Sequence, residues 1–280
     1  MSIKLYGKPV AEAIQQDLAS RTAKLKSAGI VPRLAIMRAG ERSDDVSYES
    51  RVLRICETVG IDAVKVTLDA DVGEAEFEKK LAALNADASV HGILIFRPLP
   101  RQLDEKRISD MVAPEKDVDC MNPENLKKLL VGDDTAIAPC TPEAVIEILK
   151  FYGYTLTGKN VTIVNRSLVL GKPLALLFMR ENATVTVCHS RTQDITSITA
   201  SADIFVSGIG KARYFGADSV SEGTTVIDVG INFAAGQMCG DIDYDAVCDR
   251  VGAITPVPGG VGIVTSSVLL RHVVDAAESL

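Results

Sequence analysis

A turn at Asn165–Pro173 joins a strand-like segment to a helix-like one in the second half of the chain. Such a turn presents backbone N–H groups and a helix N-terminus to a pyrophosphate, which is the physical basis of dinucleotide binding. Gly171 is its only glycine, so the usual glycine fingerprint is absent. The spacing alone therefore leaves two interpretations open, a dinucleotide site and an ordinary strand-to-helix turn.

The end of the next strand favours one particular cofactor. An NAD site usually has Asp or Glu there to hold the ribose 2′-OH, whereas this chain has Cys188-His-Ser-Arg191. Arg166 and Arg191 could both reach a 2′-phosphate, and Ser190 could donate to it. The alternative is that both arginines are solvated surface charges. The residues favour NADP, with NAD as the second possibility.

Thr255–Gly262 holds two prolines and three glycines. The prolines give the segment a rigid entry, and the glycines leave its backbone open to close approach by a ligand. Turn geometry could explain each residue separately. The density of the cluster favours a ligand-binding loop.

Composition excludes several classes of protein. At roughly 150 residues per domain, 280 residues suffice for two domains. The hydrophobic fraction of 47% and the charged fraction of 24% are ordinary for a globular protein. A formal charge of -7 argues against a nucleic-acid partner but not against a local basic pocket. No signal-peptide pattern and no apolar run near about 18 residues occurs, so we expect a cytoplasmic protein without a membrane partner.

Histidines and cysteines form no recognisable ligand pattern. The three histidines have no HExxH-like spacing, and the six cysteines include no CxxC pair. We therefore expect no catalytic metal and reduced, mostly structural thiols.

Helical and strand-like patterns alternate along the chain. In the first half, strand-like segments at 33–37, 63–68 and 91–96 alternate with helical ones at 10–18, 44–59 and 74–84. In the second half, a helix capped by Thr141 precedes strands at 161–164, 184–188, 204–207 and 226–229. This alternation predicts an α/β fold with parallel sheets covered by helices.

Seven segments, in order along nearly the whole chain, resemble the methylenetetrahydrofolate dehydrogenase/cyclohydrolase family. They are Val90–Leu94, Pro98–Pro100, Pro114–Asp119, Pro139–Pro142, Val187–Thr192, Val226–Asn232 and Thr255–Gly262. The resemblance implies an N-terminal α/β catalytic domain (1–140, with a C-terminal helix at about 264–280) and a Rossmann-like NADP-binding domain (141–263). It also implies a tetrahydrofolate substrate in an interdomain cleft, a homodimer and no metal.

The resemblance also assigns roles to single residues. Tyr48 matches the tyrosine that lies against folate, and Asp119 matches the aspartate that holds the pterin ring, so both are candidates for catalysis and substrate binding. The loop that closes over folate corresponds to Pro258, Gly259 and Gly260. The positions that line NADP correspond to Arg166, Ser167, Gly171, Ser190 and Ile231.

Asn165 and Arg191 complete the set of cofactor-binding candidates. Asn165 stands where the family has glycine. Because asparagine tolerates left-handed backbone better than other non-glycine residues, this exchange weakens but does not exclude cofactor binding.

Several other positions depart from the family pattern. Val52 replaces the lysine of Tyr-x-x-x-Lys, which serves the cyclohydrolase step, and Phe96 replaces the glutamine that partners it. Asp45 replaces a serine, Arg97 replaces a leucine, and Ile263-Val264 replaces Pro-Met.

These departures favour loss of one activity. Hydride removal from the methylene bridge chiefly needs orientation, whereas hydrolysis of the methenyl product needs a group that transfers protons. The leading hypothesis is therefore an NADP-dependent methylenetetrahydrofolate dehydrogenase that has lost most or all cyclohydrolase activity. A bifunctional enzyme that uses Glu49 or Asp45, and a non-catalytic or repurposed folate- or nucleotide-binding paralogue, remain open.

Overall fold

The structure, a computed structural model, describes residues 2–234 and 236–279. The chain divides into two compact units, each built from separate stretches of sequence. The six-stranded unit comprises the N-terminal segment through Ala11 with Thr141–Thr265, and the three-stranded unit comprises Glu12–Cys140 with the C-terminal segment from Ser266. The predicted two-domain α/β fold is confirmed. Across the described ranges, no helix combines the length and apolar character needed to cross a membrane.

The three-stranded unit is a parallel sheet with a buried central strand. That strand is β2 (Arg33–Ala39), flanked by β3 (Asp62–Leu68) and β4 (Gly92–Ile95). Its helices are α2 (Ser43–Val59), α3 (Glu74–Ala86), α4 (Glu105–Met111) and α5 (Pro123–Val131). Two longer helices, α1 (Gly7–Ser27) and α10 (Val261–Glu278), contribute residues to both units.

Apolar packing positions α3 on the three-stranded sheet, and a glycine cap ends α2. Phe77 and Leu81 of α3 are fully buried in one cluster with Met37 of β2 and Ile93 of β4. The helix α2 ends at Val59 and is capped by Gly60, whose φ of 79° is the left-handed conformation that glycine adopts without strain. The packing therefore fixes the end of β4, from which Phe96 and Arg97 extend.

The six-stranded unit is a parallel sheet in which the strand order reverses direction. The order is β1 (Ile3–Lys4), β11 (Ala253–Ile254), β8 (Thr225–Asp228), β7 (Ile204–Ser207), β5 (Asn160–Val164) and β6 (Thr184–Cys188). The chain leaves β5 for β6 on one side and continues as β7 on the other. Ligands of open α/β sheets bind at such a switch point, beyond the carboxyl ends of the strands.

Smaller elements complete this unit. They are α6 (Cys140–Phe151), α7 (Gly171–Arg180), α8 (Ile195–Ala200), the antiparallel hairpin β9 (Asn232–Ala234) and β10 (Gln237–Cys239), and α9 (Tyr244–Val247). The helix α6 begins at Cys140, so Thr141 lies in its first turn and is not the predicted cap.

The N-terminal residues pair far from the segments that follow them in sequence. Ile3 of β1 pairs with Ala253 of β11, and the short strand β1 therefore forms one edge of the six-stranded sheet. The sequence-based domain boundaries assign these residues to the folate-binding domain, 1–140, whereas the contacts group residues through Ala11 with the six-stranded unit. The assignment of folate to 1–140 and of the dinucleotide to 141–263 stays a prediction.

We expect Gly92→Ala to destabilise the three-stranded unit. A Cβ at Gly92 would lie 2.5 Å from Val118 Cγ1 and 2.9 Å from Val273 Cγ2. Both side chains are fully buried, so the methyl group overpacks the core and should lower the free energy of unfolding by about 1–3 kcal/mol. Urea denaturation measures this change. Gly73→Ala is the control, because nothing lies within 4 Å of its Cβ position; equal losses in both variants would contradict the packing argument.

Candidate active site

Tyr48 lies on α2, and its ring meets that of Phe96 edge to face with centroids 5.7 Å apart. Burial raises the pKa of the Tyr48 phenol, and Cys140 and Asp119 act in the same direction. The Ser266 hydroxyl acts in the opposite direction to a smaller extent. At neutral pH the phenol therefore stays protonated, as a hydrogen-bond donor rather than a base.

Val52 lies on the same face of α2, one turn after Tyr48, and is fully buried. Phe96 is also buried. Arg51 and Arg54 are exposed, as their helical positions predict. The positions at which the family has its lysine and its glutamine therefore carry buried hydrocarbon side chains without a titratable group.

The two carboxylates considered as alternative acid–base groups lie on α2 as well. Glu49 is 5% exposed, and its Oε2 accepts from Arg38 Nε at 2.9 Å. Lys65 Nζ lies 3.9 Å from Glu49 Oε1. Asp45 is 8% exposed, with Arg42 Nε 3.8 Å from its Oδ2. Glu49 is therefore held in a buried ion pair, while Asp45 has the looser partner.

Asp119 has a cationic partner that sequence reasoning did not predict. Arg97 Nη2 lies 3.3 Å from Asp119 Oδ2, and both side chains are partly exposed. Asp117 fixes the same loop, because its buried carboxylate accepts the N–H groups of Met121 at 2.9 Å and Asn122 at 2.8 Å. Burial raises the pKa of Asp117, and these bonds oppose the shift. The replacement of a family leucine by Arg97 indicates a changed charge at this position, but the sequence does not show that Asp119 is its partner.

Two arginine-bearing loops begin at one edge of the six-stranded sheet. Val164 at the end of β5 pairs with Cys188 at the end of β6, so the loops that follow start level with each other. Arg166 lies in the first loop and Arg191 in the second, and both are exposed. His189 Nδ1 accepts the backbone N–H of Arg191 at 3.1 Å, which fixes the second loop. Two guanidinium groups beside a switch point fit an anionic dinucleotide.

Asn165 does not adopt the left-handed backbone that would explain the loss of a glycine. It is not among the described residues with positive φ, so the tolerance of asparagine for that conformation is not used at this position. Its carboxamide instead makes hydrogen bonds within the turn: Oδ1 accepts from Ser167 N at 2.8 Å and from Gly171 N at 3.0 Å, and Nδ2 donates to Gly208 O. The asparagine therefore holds the turn through its side chain.

Two buried carboxylates shape the loop that carries Ile231. Asp228 Oδ1, at the end of β8, accepts the N–H groups of Gly230 at 2.9 Å and Asp241 at 3.0 Å. Asp241 Oδ2 in turn accepts from the Ser207 hydroxyl at 3.0 Å. Ile231 is 61% exposed beyond this network. The sequence analysis predicts no role for either aspartate. A carboxylate at the end of a buried strand, as at Asp228, is a pattern that indicates hydrogen bonding to the loop that follows.

The Pro258–Gly260 loop requires its glycines for steric reasons. Gly259 has a φ of +115°, and its carbonyl accepts the Gly7 N–H at 2.8 Å. A Cβ at Gly260 would lie 2.7 Å from Pro256 O. This loop belongs to the six-stranded unit, as do the dinucleotide candidates.

The other substrate candidates form a group within the three-stranded unit. Tyr48 contacts Phe96, and Asp119 is close enough to influence the Tyr48 phenol. No group of three or more His, Cys, Asp or Glu residues that could hold a metal ion occurs within 2–234 and 236–279.

Comparison with known proteins identifies the class. The profile described as "Tetrahydrofolate dehydrogenase/cyclohydrolase, catalytic domain" matches residues 5–119, and the profile for the NAD(P)-binding domain of the same family matches residues 139–280. The chain belongs to the tetrahydrofolate dehydrogenase/cyclohydrolase family, and its second half is an NAD(P)-binding domain.

Individual relatives agree over nearly their whole length. "Bifunctional protein FolD" of Clostridium botulinum is 50% identical over 275 residues, 98% of each chain. The solved bifunctional enzyme FolD from Campylobacter jejuni superposes with a TM-score of 0.97 at 35% identity, covering 100% of this chain and 99% of that one. A Trypanosoma brucei dehydrogenase-cyclohydrolase, solved with NADP and an inhibitor, gives 0.93 at 34% identity, covering 99% and 98%.

We expect Asp228 to make stability depend on pH. Burial raises its pKa to about 6, against roughly 3.9 for an unfolded aspartate. The folded state thus holds this proton more tightly, so the stability that Asp228 contributes is complete below about pH 4 and is lost as the pH rises to about 6.

The stability difference between the native protein and Asp228→Asn should therefore fall by up to about 3 kcal/mol between pH 4 and pH 7, because asparagine does not titrate. Urea unfolding at each pH measures this difference. Asp245→Asn, at an exposed carboxylate of the same unit, is the control. A difference that stays constant with pH would contradict the assignment.

Proposed function

We propose that the chain is an NADP-dependent 5,10-methylenetetrahydrofolate dehydrogenase that forms 5,10-methenyltetrahydrofolate and has lost cyclohydrolase activity. NADP, when bound, supplies the hydride acceptor. The observation that carries the proposal is that Val52 and Phe96 are buried and apolar around Tyr48, while Asp119 is retained.

The retained residues suit a reaction governed by orientation. Loss of a hydride from the methylene carbon leaves a cation that the two flanking nitrogens stabilise, so the protein chiefly has to position the substrate. Tyr48, packed edge to face on Phe96, offers a ring surface to the substrate. Asp119, held by Arg97, offers a carboxylate to pterin N–H groups. Neither role requires the side chain to gain or lose a proton.

Hydrolysis of the methenyl product makes a different demand. Water must be activated and a proton must reach a ring nitrogen, which is work for a titratable group. Val52 and Phe96 cannot do this. The raised pKa of Tyr48 disfavours a phenolate base, and Arg51 and Arg54 point to solvent. These features support loss of the hydrolytic step.

A bifunctional enzyme is the second candidate, and the name of the Clostridium botulinum relative favours it. Such an enzyme would need a general acid–base other than lysine. Glu49 is already engaged by Arg38, so Asp45 is the better placed carboxylate. The third candidate, a folate- or nucleotide-binding protein without turnover, would be stabilised by ligands without forming product.

The proposal extends to domains and assembly. Residues 1–140 with the helix from about 264–280 would bind folate, and residues 141–263 would bind the dinucleotide. The family resemblance implies a homodimer, which sedimentation equilibrium measures directly.

Purified protein supplied with methylenetetrahydrofolate and NADP should form NADPH and methenyltetrahydrofolate in equal amounts. The methenyl product should then decay no faster than in a protein-free control, because no residue activates water. Absorbance of both products, followed together, tests this. Faster decay would favour the bifunctional candidate, and no turnover by folded protein with NADP or NAD would exclude a dehydrogenase.

The double variant Val52→Lys with Phe96→Gln should gain methenyl hydrolysis of at least about tenfold over the native protein, because acid–base groups contribute roughly 10²–10⁴-fold. Its dehydrogenase rate is the internal reference. Val52→Met with Phe96→Gln is the matched control, since methionine supplies length without an amine. Equal gains in both double variants would count against a role for the amine.

Arg191→Gln should raise the KM for NADP about tenfold and leave the KM for NAD nearly unchanged, because only NADP carries the 2′-phosphate. Initial-rate kinetics with each cofactor measure this. Arg250→Gln, at another exposed arginine of the same unit, is the control. An equal change in KM for both cofactors would contradict a role for Arg191 in distinguishing NADP from NAD.

A further inference from the structure

The Asn165 side chain spans the switch point of the six-stranded sheet. Asn165 directly follows β5, and Gly208 directly follows β7, the strand on the opposite side from β6. Asn165 Nδ2 donates to the Gly208 carbonyl at 2.5 Å, which joins the two strand ends. The carboxamide therefore lies at the place where the fold would put the phosphates of a dinucleotide.

The other end of the carboxamide takes up donors of the turn. Oδ1 accepts from Ser167 N at 2.8 Å, from Ser167 Oγ at 2.8 Å and from Gly171 N at 3.0 Å. The Gly171 N–H is the first of α7. A neutral amide oxygen thus occupies donors of the kind that bind a phosphate oxygen at a helix N-terminus.

The remaining donors at the start of α7 are also satisfied within the chain. Leu170 N donates to Ser167 Oγ at 3.1 Å, Lys172 N to Ser167 O at 3.1 Å, and Leu174 N to Leu170 O at 2.9 Å. Pro173 has no N–H to offer. The helix N-terminus therefore keeps its dipole, but its hydrogen-bonding capacity is used internally.

Close packing keeps the carboxamide in this place. A Cβ at Gly171 would lie 1.9 Å from Asn165 O, and one at Gly208 would lie 2.2 Å from Leu170 Cδ2. The Asn165 backbone carbonyl therefore packs against the first residue of α7, and the Leu170 side chain packs against Gly208. Asn165 cannot leave its bonds without giving up four hydrogen-bond contacts at once.

We propose that the Asn165 carboxamide stands in for a phosphate oxygen at the N-terminus of α7 and so limits the affinity for the pyrophosphate that NADP and NAD share. Cofactor binding then depends on the Arg166 and Arg191 side chains rather than on backbone N–H groups. This inference rests on the proposed use of a dinucleotide. The opposing possibility is that the carboxamide supports a bound cofactor. The two possibilities predict opposite changes in the Kd for the dinucleotide when Asn165 is replaced by glycine.

Two variants separate these possibilities. Asn165→Gly frees the N–H groups of Ser167 and Gly171 for charge-assisted bonds, so the Kd should fall about tenfold for NADP and for NAD alike. The cofactor-free variant should melt at a lower temperature, because it loses the bonds of the carboxamide. Asn165→Asp keeps the acceptor but adds negative charge, so the Kd should rise for both cofactors by a similar factor.

Isothermal titration calorimetry with NADP, NAD and ADP measures the affinities without any need for folate turnover. Differential scanning calorimetry measures the melting temperature of each cofactor-free variant. Asn182→Gly is the matched control: Asn182 lies in the same unit with a φ of 62°, which suits glycine, and should leave every Kd unchanged. Weaker or unchanged binding of both dinucleotides by folded Asn165→Gly would overturn the inference.

The two proposals fail in different ways. If the native protein turns over folate with NADP but Asn165→Gly binds no more tightly, only the inference about Asn165 fails. If the native protein binds neither dinucleotide, the proposed function fails; a gain of ADP or NADP binding in Asn165→Gly would still support the inference, and no gain would contradict it.

Discussion

Loops that follow parallel strands carry backbone N–H groups that no neighbouring strand satisfies, and the candidate site depends on how this chain satisfies them. Buried backbone donors need partners. Here the partners are side chains at the ends of strands or in the loops: Asp117 in the three-stranded unit, and Asn165, Asp228 and Asp241 in the six-stranded unit. Each accepts several N–H groups, so each loop is held in one shape.

This arrangement explains which parts could be predicted from sequence. The strand Ile204–Ser207 matches the predicted limits, because a run of buried residues between turns carries a strong local signal. The edge strand Thr184–Cys188 also matches, because its β-branched residues alternate valine with threonine. A cap at Thr141 predicts a helix that begins two residues later than the observed start at Cys140, since helix ends depend on backbone geometry that several residue types satisfy.

The polar contacts of the site were harder to predict. Arg97 and Asp119 are separated by 22 positions, and only the fold brings their charges within 3.3 Å. Asn165 was interpreted through its backbone, whereas its side chain is what matters, because a carboxamide offers a donor and an acceptor that local sequence cannot pair. The Tyr48–Phe96 contact likewise joins a helix to the end of a strand distant in sequence.

The candidate substrate-binding residues and positions 52 and 96 differ in chemical character. The groups that would hold substrate are charges and rings anchored by neighbours, as in the pairing of Arg97 with Asp119. Positions 52 and 96 carry only hydrocarbon in a buried setting, where an unpaired charge would be costly. Packing of the three-stranded unit therefore benefits from the hydrocarbon side chains at these two positions.

The division of the chain also sets an order on its synthesis. The three-stranded unit includes residues from Ser266 onward, and β1 finds its partner only at β11. While the chain is being made, its first strand has no partner strand until β11 has emerged. The three-stranded unit likewise lacks its share of α10 until the residues from Ser266 onward have been made. Each unit therefore gains its full set of contacts only after both of its separate segments are present.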